Sequence, residues 1–379
     1  MWSASSIYII EDKMKKAIYI LIMTLLAVMP AGAVSTVDKL TLSDVTLNPG
    51  DVTAKYATLS VVSAVRKYAA FNVDIYLPEG VEPVLSSTGG PRVTKTGILP
   101  KDDFGEDYLH TLSATYSKEE NKIRVICYAS PTAEFTSMQG ALCRIYLTAS
   151  TYAKPGKASV ELKKQNLTTA DETKYEPADA TYDITIGTSA KADLSVSSDN
   201  KWSTVILPFD AALPEGLKAY TCNSKSDDEK VFYLTDATQI SAYTPYILYS
   251  ESGYTGALTG EVDASQYPEA GYVKEGYLTG AIKNQTTSEG YILQKLNGVV
   301  KFYKADAAKT YNIPAGKCWA TPTDAGQDSY DFKFVPTAVK GIAETAEKKN
   351  ESMYDINGVA ISSSRSGQIY IQRGKKLLR

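Results

Sequence analysis

The 379-residue chain carries 40 basic and 43 acidic side chains, for a formal net charge of −3, and 44% of its residues are hydrophobic. That length and apolar content predict two or three folded domains with packed cores and exclude a largely disordered chain. Proteins that bind nucleic acid or anionic membranes carry a basic excess, which is absent, so we expect neither partner.

The segment 1–33 has the pattern of a signal peptide. Basic residues follow Met14, residues 17–29 form an apolar run, and Ala31-Gly32-Ala33 supplies the small residues of a cleavage site. The pattern is complete from Met14, so residues 1–13 are interpreted as an upstream extension. The run is shorter than the roughly 20 residues of a membrane span. We therefore predict a secreted or outer-surface protein with no transmembrane span.

Short alternating segments, separated by Gly, Pro, Asn and Asp, run through the rest of the chain, and helical periodicity is nearly absent. This pattern predicts an all-β protein. In the segment 38–187, apolar residues alternate with polar ones at 71–77, and similar alternation recurs at 123–127 and 143–147. The number and spacing of such strands predict a two-sheet β-sandwich.

Composition changes mark the rest of the organisation. A polar stretch at 188–200 separates the sandwich from a second antiparallel β domain predicted at 201–336. A charged stretch at 337–350 is predicted to be a linker, and 351–379 a short C-terminal β tail.

Four cysteines follow the predicted signal segment: Cys127, Cys143, Cys222 and Cys318. Of the three possible pairings, only Cys127–Cys143 with Cys222–Cys318 keeps each bond inside one predicted domain. An exported chain permits such bonds. However, Cys127 and Cys143 lie on the apolar sides of their strands, as core residues do. Two disulfides and free buried thiols both stay open as interpretations.

The residue types of common active sites are scarce. A Ser-His-Asp arrangement or a His-based metal site would depend on His110, the single histidine, whose strand-like context favours a structural role. The sequence has no phosphate-binding loop, G-x-S-x-G elbow or H-E-x-x-H motif. We therefore predict that the protein is not an enzyme and has no resident cofactor.

The densest group of carboxylates is the loop of Asp102, Asp103, Glu106 and Asp107. Spacing within one loop gives no reason for the split pKa values that a glycosidase pair needs, so we favour a solvated loop. Clustered oxygen ligands suit calcium, which makes this loop the candidate metal site.

The motif Leu47-Asn48-Pro49-Gly50-Asp51 precedes a predicted strand, and apolar alternation follows at 70–81, 123–128 and 140–145. In these segments the first domain resembles the cohesin family, β-sandwich modules related to carbohydrate-binding modules. The resemblance implies a module that binds a protein partner, a dockerin in that family, through one sheet face. No motif in the chain marks such a face.

The other two regions also resemble known families. Through 202–209, 244–248 and 313–319 the second domain is similar to a β domain common in surface proteins of anaerobic gut bacteria. The tail is similar to C-terminal sorting domains of type IX secretion, through its Tyr-Asp-x-x-Gly opening at Tyr354 and its Lys-rich end. Both resemblances imply a surface location.

We predict a secreted or cell-surface adhesion or scaffold protein that binds a protein partner through the sandwich. The alternative is a carbohydrate-binding protein of a polysaccharide-utilising surface system, in which exposed members of the 27 tyrosines stack on sugars. A sheet face of mixed polar and apolar residues would favour the protein partner. A co-linear strip of exposed tyrosines would favour the glycan.

Overall fold

The structure is a computed structural model that describes residues 38–323 and 326–334, together with four strands between residues 353 and 378. The predicted signal segment 1–33 and linker 337–350 lie outside the described residues. No helix in the described part of the chain is long and apolar enough to cross a membrane.

The prediction of an all-β protein is confirmed. The described chain contains 32 strands, and its helical content is one short 3₁₀ helix, Ala264–Gln266. The chain divides into two compact units, Met1–Asp193 with Ala257–Tyr267, and Leu194–Gly256 with Pro268–Arg379. The first unit therefore includes a segment that returns to it from beyond residue 256.

Twelve strands build the sandwich of the first unit. They are β1 (Lys39–Leu42), β2 (Thr46–Leu47), β3 (Lys55–Val62), β4 (Ala70–Tyr76), β5 (Val81–Pro83), β6 (Val93–Lys95), β7 (His110–Ser117), β8 (Lys122–Ala129), β9 (Gly140–Ala149), β10 (Gly156–Thr168), β11 (Lys174–Tyr175) and β12 (Ala180–Ile186).

These strands form two sheets. A five-stranded sheet has the order β1-β3-β9-β5, with β6 also paired to β9. A seven-stranded sheet has the order β2-β12-β10-β4-β8-β7, with β11 also paired to β10. All pairs are antiparallel except β2 with β12, which run parallel.

The core of the sandwich lies between the two sheets, and strand alternation explains its membership. Ile123, Val125 and Cys127 point inward from β8, as the sequence pattern predicts, and all three are fully buried. Cys143 and Ile145 meet the same core from β9. Because alternate residues of each strand face this core, the intervening residues form the two outer faces on which a partner could bind.

Sixteen further strands precede the predicted tail, and most of them lie in the second unit. In chain order they are β13 (Ser189–Val196), β14 (Trp202–Val205), β15 (Ala211–Ala212), β16 (Lys218–Ser226), β17 (Val231–Ala237), β18 (Gln239–Ile240), β19 (Tyr246–Tyr249), β20 (Tyr254–Glu261), β21 (Tyr272–Glu275), β22 (Leu278–Ala281), β23 (Gln285–Thr287), β24 (Tyr291–Leu296), β25 (Val299–Lys304), β26 (Tyr311–Ile313), β27 (Cys318–Ala320) and β28 (Ser329–Phe334). Two of them, β13 and β20, are divided between the units, and β13 lies in the stretch that composition predicts to be a polar joint.

Ten of these strands form one sheet in the order β14-β19-β16-β17-β28-β25-β24-β27-β22-β21. Its pairs are antiparallel apart from β17 with β28. Aromatic side chains fill its core, where the rings of Phe232 and Tyr330 stack with centroids 4.3 Å apart. The predicted β tail contains β29 (Met353–Asp355), β30 (Ala360–Ile361), β31 (Ile369–Gln372) and β32 (Lys375–Leu378).

Candidate binding face

Strand β8 presents two large apolar side chains to solvent on the outer face of the seven-stranded sheet. Inward positions of β8 alternate with outward ones, so Ile126 and Tyr128 point away from the core. Ile126 is 40% exposed and Tyr128 49% exposed. An exposed isoleucine beside an exposed tyrosine on one strand leaves apolar surface in contact with water.

Short uncharged side chains surround this pair. Asn72 of β4 and Ser113 of β7 lie opposite Ile126 on its two sides, and Thr111 of β7 lies opposite Tyr128. All three are exposed. We call the five residues Asn72, Thr111, Ser113, Ile126 and Tyr128 the Ile126 patch. It joins an apolar centre to a rim of hydrogen-bonding groups without charge.

An ion pair borders the patch at the next outward-facing residue pair of β4 and β8. Asp74 of β4 lies opposite Arg124 of β8. The Arg124 guanidinium donates to both carboxylate oxygens, Nε to Oδ1 at 2.6 Å and Nη2 to Oδ2 at 2.9 Å. These hydrogen bonds raise the pKa of Arg124. The two-point contact fixes the position of a charge beside the patch.

A bulge in β10 adds a second cation to this border. The register of β10 against β4 shifts between Lys163 and Asn166, and Lys164 takes a φ of 50°. Its ammonium lies 3.9 Å from Asp74. Asp74 therefore lies between two positive side chains, although the alternation of β4 places it on the polar, solvent-facing side.

His110 is part of the packed interior of the first unit. Its side chain is buried, and Nε2 lies 2.8 Å from the carbonyl oxygen of Ala69. Burial lowers the pKa of the imidazole. The ring packs against Phe135, with centroids 5.3 Å apart.

The predicted calcium loop forms an exposed turn. Asp102 uses its carboxylate within the turn, where Oδ1 accepts the backbone N–H of Glu106 at 2.9 Å. Asp103, Glu106 and Asp107 are exposed. Among the described residues, no group of three or more His, Cys, Asp or Glu is placed to hold a metal ion. Calcium binding at this loop stays a prediction, and it requires these carboxylates to reorient.

The structure agrees with the second interpretation of the cysteines, free buried thiols. Cys127, Cys143, Cys222 and Cys318 are all unbonded and buried, so neither of the two candidate disulfides is present. Burial raises the pKa of Cys127, Cys222 and Cys318 to about 12, and it raises that of Cys143 as well. The four thiols act as small apolar core residues.

The sequence contains one local indication of the Ile126 patch. Segment 123–128 alternates, and on its polar side an isoleucine follows Arg124 where a polar residue is expected. An apolar residue at an outward position predicts an exposed contact. Its neighbours on β4 and β7 become visible only once the strand pairing is known.

Known proteins match this chain in structure alone. No family model matches the chain, and no curated protein matches it. Solved structures do match. The chain is similar to cohesin modules.

One match is the cohesin module of a family 33 glycoside hydrolase from Clostridium perfringens, 13% identical over 40% of this chain and 98% of that one, with a TM-score of 0.30. A type I cohesin–dockerin complex from Clostridium thermocellum matches at 11% identity over 41% of this chain and 98% of that chain, with a TM-score of 0.31. A non-cellulosomal cohesin from Archaeoglobus fulgidus matches at 14% identity, 38% and 91% coverage, and a TM-score of 0.27.

Proposed function

We propose that this chain is a secreted or cell-surface adhesion or scaffold protein, without catalytic activity, that binds a protein partner through the Ile126 patch. The observation that carries the proposal is the exposure of Ile126 and Tyr128 side by side on β8. Protein interfaces have an apolar centre enriched in aromatic residues and a polar rim that hydrogen-bonds to the partner. The patch has both parts.

The composition of the patch favours a protein over a glycan. An isoleucine side chain gains free energy from leaving water but offers no ring for a sugar to stack on. One tyrosine does not make a strip of rings. The neighbouring Asn72, Thr111 and Ser113 supply donors and acceptors that a partner's backbone or side chains can satisfy.

The ion pair at the border supports a defined binding orientation. Arg124 is held on Asp74 by two hydrogen bonds, so its remaining N–H groups are directed before a partner arrives. A preorganised guanidinium loses less entropy on binding than a free one. The export pattern of residues 1–33 and the resemblance of the first domain to cohesins support the same function and the same surface location.

The test compares two double variants of the chain without its predicted signal segment. Ile126→Ser/Tyr128→Ala removes the apolar centre of the patch. Val299→Ser/Tyr272→Ala is the matched control, because Val299 and Tyr272 are each 47% exposed and lie in the second unit. Each chain is immobilised and exposed to solubilised surface protein from the producing cell, and retained proteins are identified and then titrated.

We expect one protein to be retained by the wild type and by the control with equal affinity. Its binding to the patch variant should be weaker by about 2 kcal/mol, roughly thirtyfold in Kd. A partner retained equally by all three chains contradicts the proposal, and so does the absence of any specifically retained protein.

A further inference from the structure

The arginines of the first unit divide into two classes. Arg66 lies 3.6 Å from a carboxylate oxygen of Asp38, and Arg124 is paired with Asp74. Arg92 and Arg144 are exposed, and neither has a described carboxylate within the 4.0 Å of an ion pair. Two guanidinium groups on this surface are thus left without a counter-charge.

The two unpaired arginines belong to one row of side chains on the five-stranded sheet. The Arg92 guanidinium lies 4.1 Å from the centroid of the Tyr146 ring, and the Arg144 guanidinium lies 4.7 Å from that of Tyr56. The two rings contact each other edge to face, with centroids 5.5 Å apart. We call Arg92, Tyr146, Tyr56 and Arg144 the arginine–tyrosine row.

Strand register creates the row. Tyr56 of β3 lies opposite Tyr146 of β9, and the Tyr146 N–H donates to the Arg92 carbonyl at 3.1 Å. Arg144 is two residues from Tyr146, so it lies on the same outer face, diagonal to Tyr56. Because each guanidinium rests on a ring, its position is set before a ligand binds.

Threonine side chains, which carry hydroxyl groups, flank the arginine–tyrosine row. Thr58 and Thr94 lie opposite Arg144 on its two sides. Of the large hydrophobic residues on β3 and β9, Tyr56 is the exposed one, at 41%. Glu82 lies opposite Thr148, and none of the ion pairs within 4.0 Å among the described residues joins it to Arg92 or Arg144. β3 and β9 therefore carry no exposed valine, leucine or isoleucine, in contrast to Ile126 on β8.

We infer that the arginine–tyrosine row is a second binding site, which takes a polysaccharide bearing carboxylates, that is, a polyuronate. A guanidinium binds a carboxylate through two parallel hydrogen bonds, and two such groups on one face can bind two carboxylates of one chain. The tyrosine and threonine hydroxyls along the row match the hydroxyls of a sugar chain. The inference is independent of the protein-binding function of the Ile126 patch.

An acidic peptide is the competing ligand, and the row suits it less. Aspartate and glutamate side chains lose rotamer freedom when they are held, whereas the carboxylate of a uronate is fixed to its ring. A peptide interface also draws on buried aliphatic contacts, which β3 and β9 do not offer.

The experiment measures binding of the chain without its predicted signal segment to polygalacturonate by isothermal titration calorimetry. Fully methyl-esterified polygalacturonate has the same sugars without the charge, and poly-L-glutamate has the charge without the sugars. We expect binding to polygalacturonate that weakens at high salt, as exposed ion pairs do, with weaker binding to the ester and to the peptide.

Single variants assign the site. Arg92→Gln and Arg144→Gln should each weaken binding about tenfold, the effect of one charged hydrogen-bonded pair. Arg92→Lys keeps the charge but loses the two-point contact, so it should recover only part of the affinity. Lys157→Gln is the control, because Lys157 is 80% exposed on β10 and its loss removes the same charge from the other sheet.

The arginine variants alter exposed side chains, so their thermal melting should match the wild type. The inference is overturned if polygalacturonate does not bind, if Lys157→Gln weakens binding as much as Arg92→Gln does, or if poly-L-glutamate binds as tightly as the glycan. The Ile126→Ser/Tyr128→Ala variant should keep full glycan binding, which separates failure at this site from failure at the patch.

Discussion

Asp74 carries a formal charge on the outward side of β4, yet it is only 1% exposed. Arg124 and Lys164 cover it, and a carboxylate removed from water is stable only while such partners hold it. Arg124 is about half exposed and can regain water if its partner is lost. The pair is therefore asymmetric, because the two residues do not depend on each other equally.

The asymmetry predicts unequal losses of stability. Arg124→Ala leaves the buried carboxylate with Lys164, 3.9 Å away, as its remaining cation, and we expect the free energy of unfolding to fall by about 3 kcal/mol. Asp74→Asn keeps a hydrogen-bond acceptor in the same place, and we expect a smaller loss of about 1 kcal/mol. Urea titration of both variants measures the difference. A larger loss in Asp74→Asn would show that Arg124, and not Asp74, depends on the pair.

At the scale of single elements, the turn between β2 and β3 shows how one glycine connects the strands. Gly50 takes a φ of +73°, and its N–H donates to the Ala149 carbonyl at 2.8 Å. A Cβ at this position would lie 1.9 Å from the Lys191 carbonyl oxygen. Glycine is required here both for the left-handed backbone and for the close approach of another strand.

Gly50→Ala should therefore destabilise the first unit by more than backbone strain alone explains. Gly105 is a matched control, since its φ is +71° and a Cβ there meets nothing within 4 Å. We expect Gly105→Ala to cost about 1 kcal/mol of unfolding free energy, and Gly50→Ala at least about 3 kcal/mol. Similar losses in the two variants would mean that the turn adjusts to admit a methyl group.

At the scale of the whole molecule, the four cysteines link stability to pH. In the unfolded chain a thiol ionises with a pKa near 9.0, whereas in the folded protein Cys127, Cys222 and Cys318 ionise at about 12. Above pH 9 the unfolded chain releases protons that the folded protein keeps. The stability that these thiols contribute is therefore complete below pH 9 and is lost as pH rises toward 12.

We expect the free energy of unfolding to fall between pH 8.5 and 10.5, by roughly 2 kcal/mol for each buried thiol. Urea titrations under reducing conditions across this range measure it. Cys222→Ala should reduce the pH dependence by one thiol's share, whatever it does to stability at pH 7. A free energy that stays constant or rises over this range would contradict the buried, unbonded state of the cysteines.

Several features of the molecule follow from local sequence. The alternation at 71–77, 123–127 and 143–147 correctly predicts the all-β class and the inward faces of β4, β8 and β9. Side chains of a strand alternate between its two faces, so the buried face can be identified from residues that are close in sequence. The turn at Gly50 is also predictable from local sequence, because a left-handed backbone conformation favours glycine.

Tertiary structure decided the features that join distant parts of the chain. The Ile126 patch needs β4 and β7 beside β8, and the arginine–tyrosine row needs β3, β6 and β9 side by side, an arrangement that local alternation does not determine. Asp74 is covered by Arg124 and Lys164 from the two neighbouring strands, and Ala257–Tyr267 joins the first unit from far along the chain. The sequence by itself therefore determined which side of each strand is buried. The pairing of strands decided which outward side chains meet, because it depends on burial summed over the whole core.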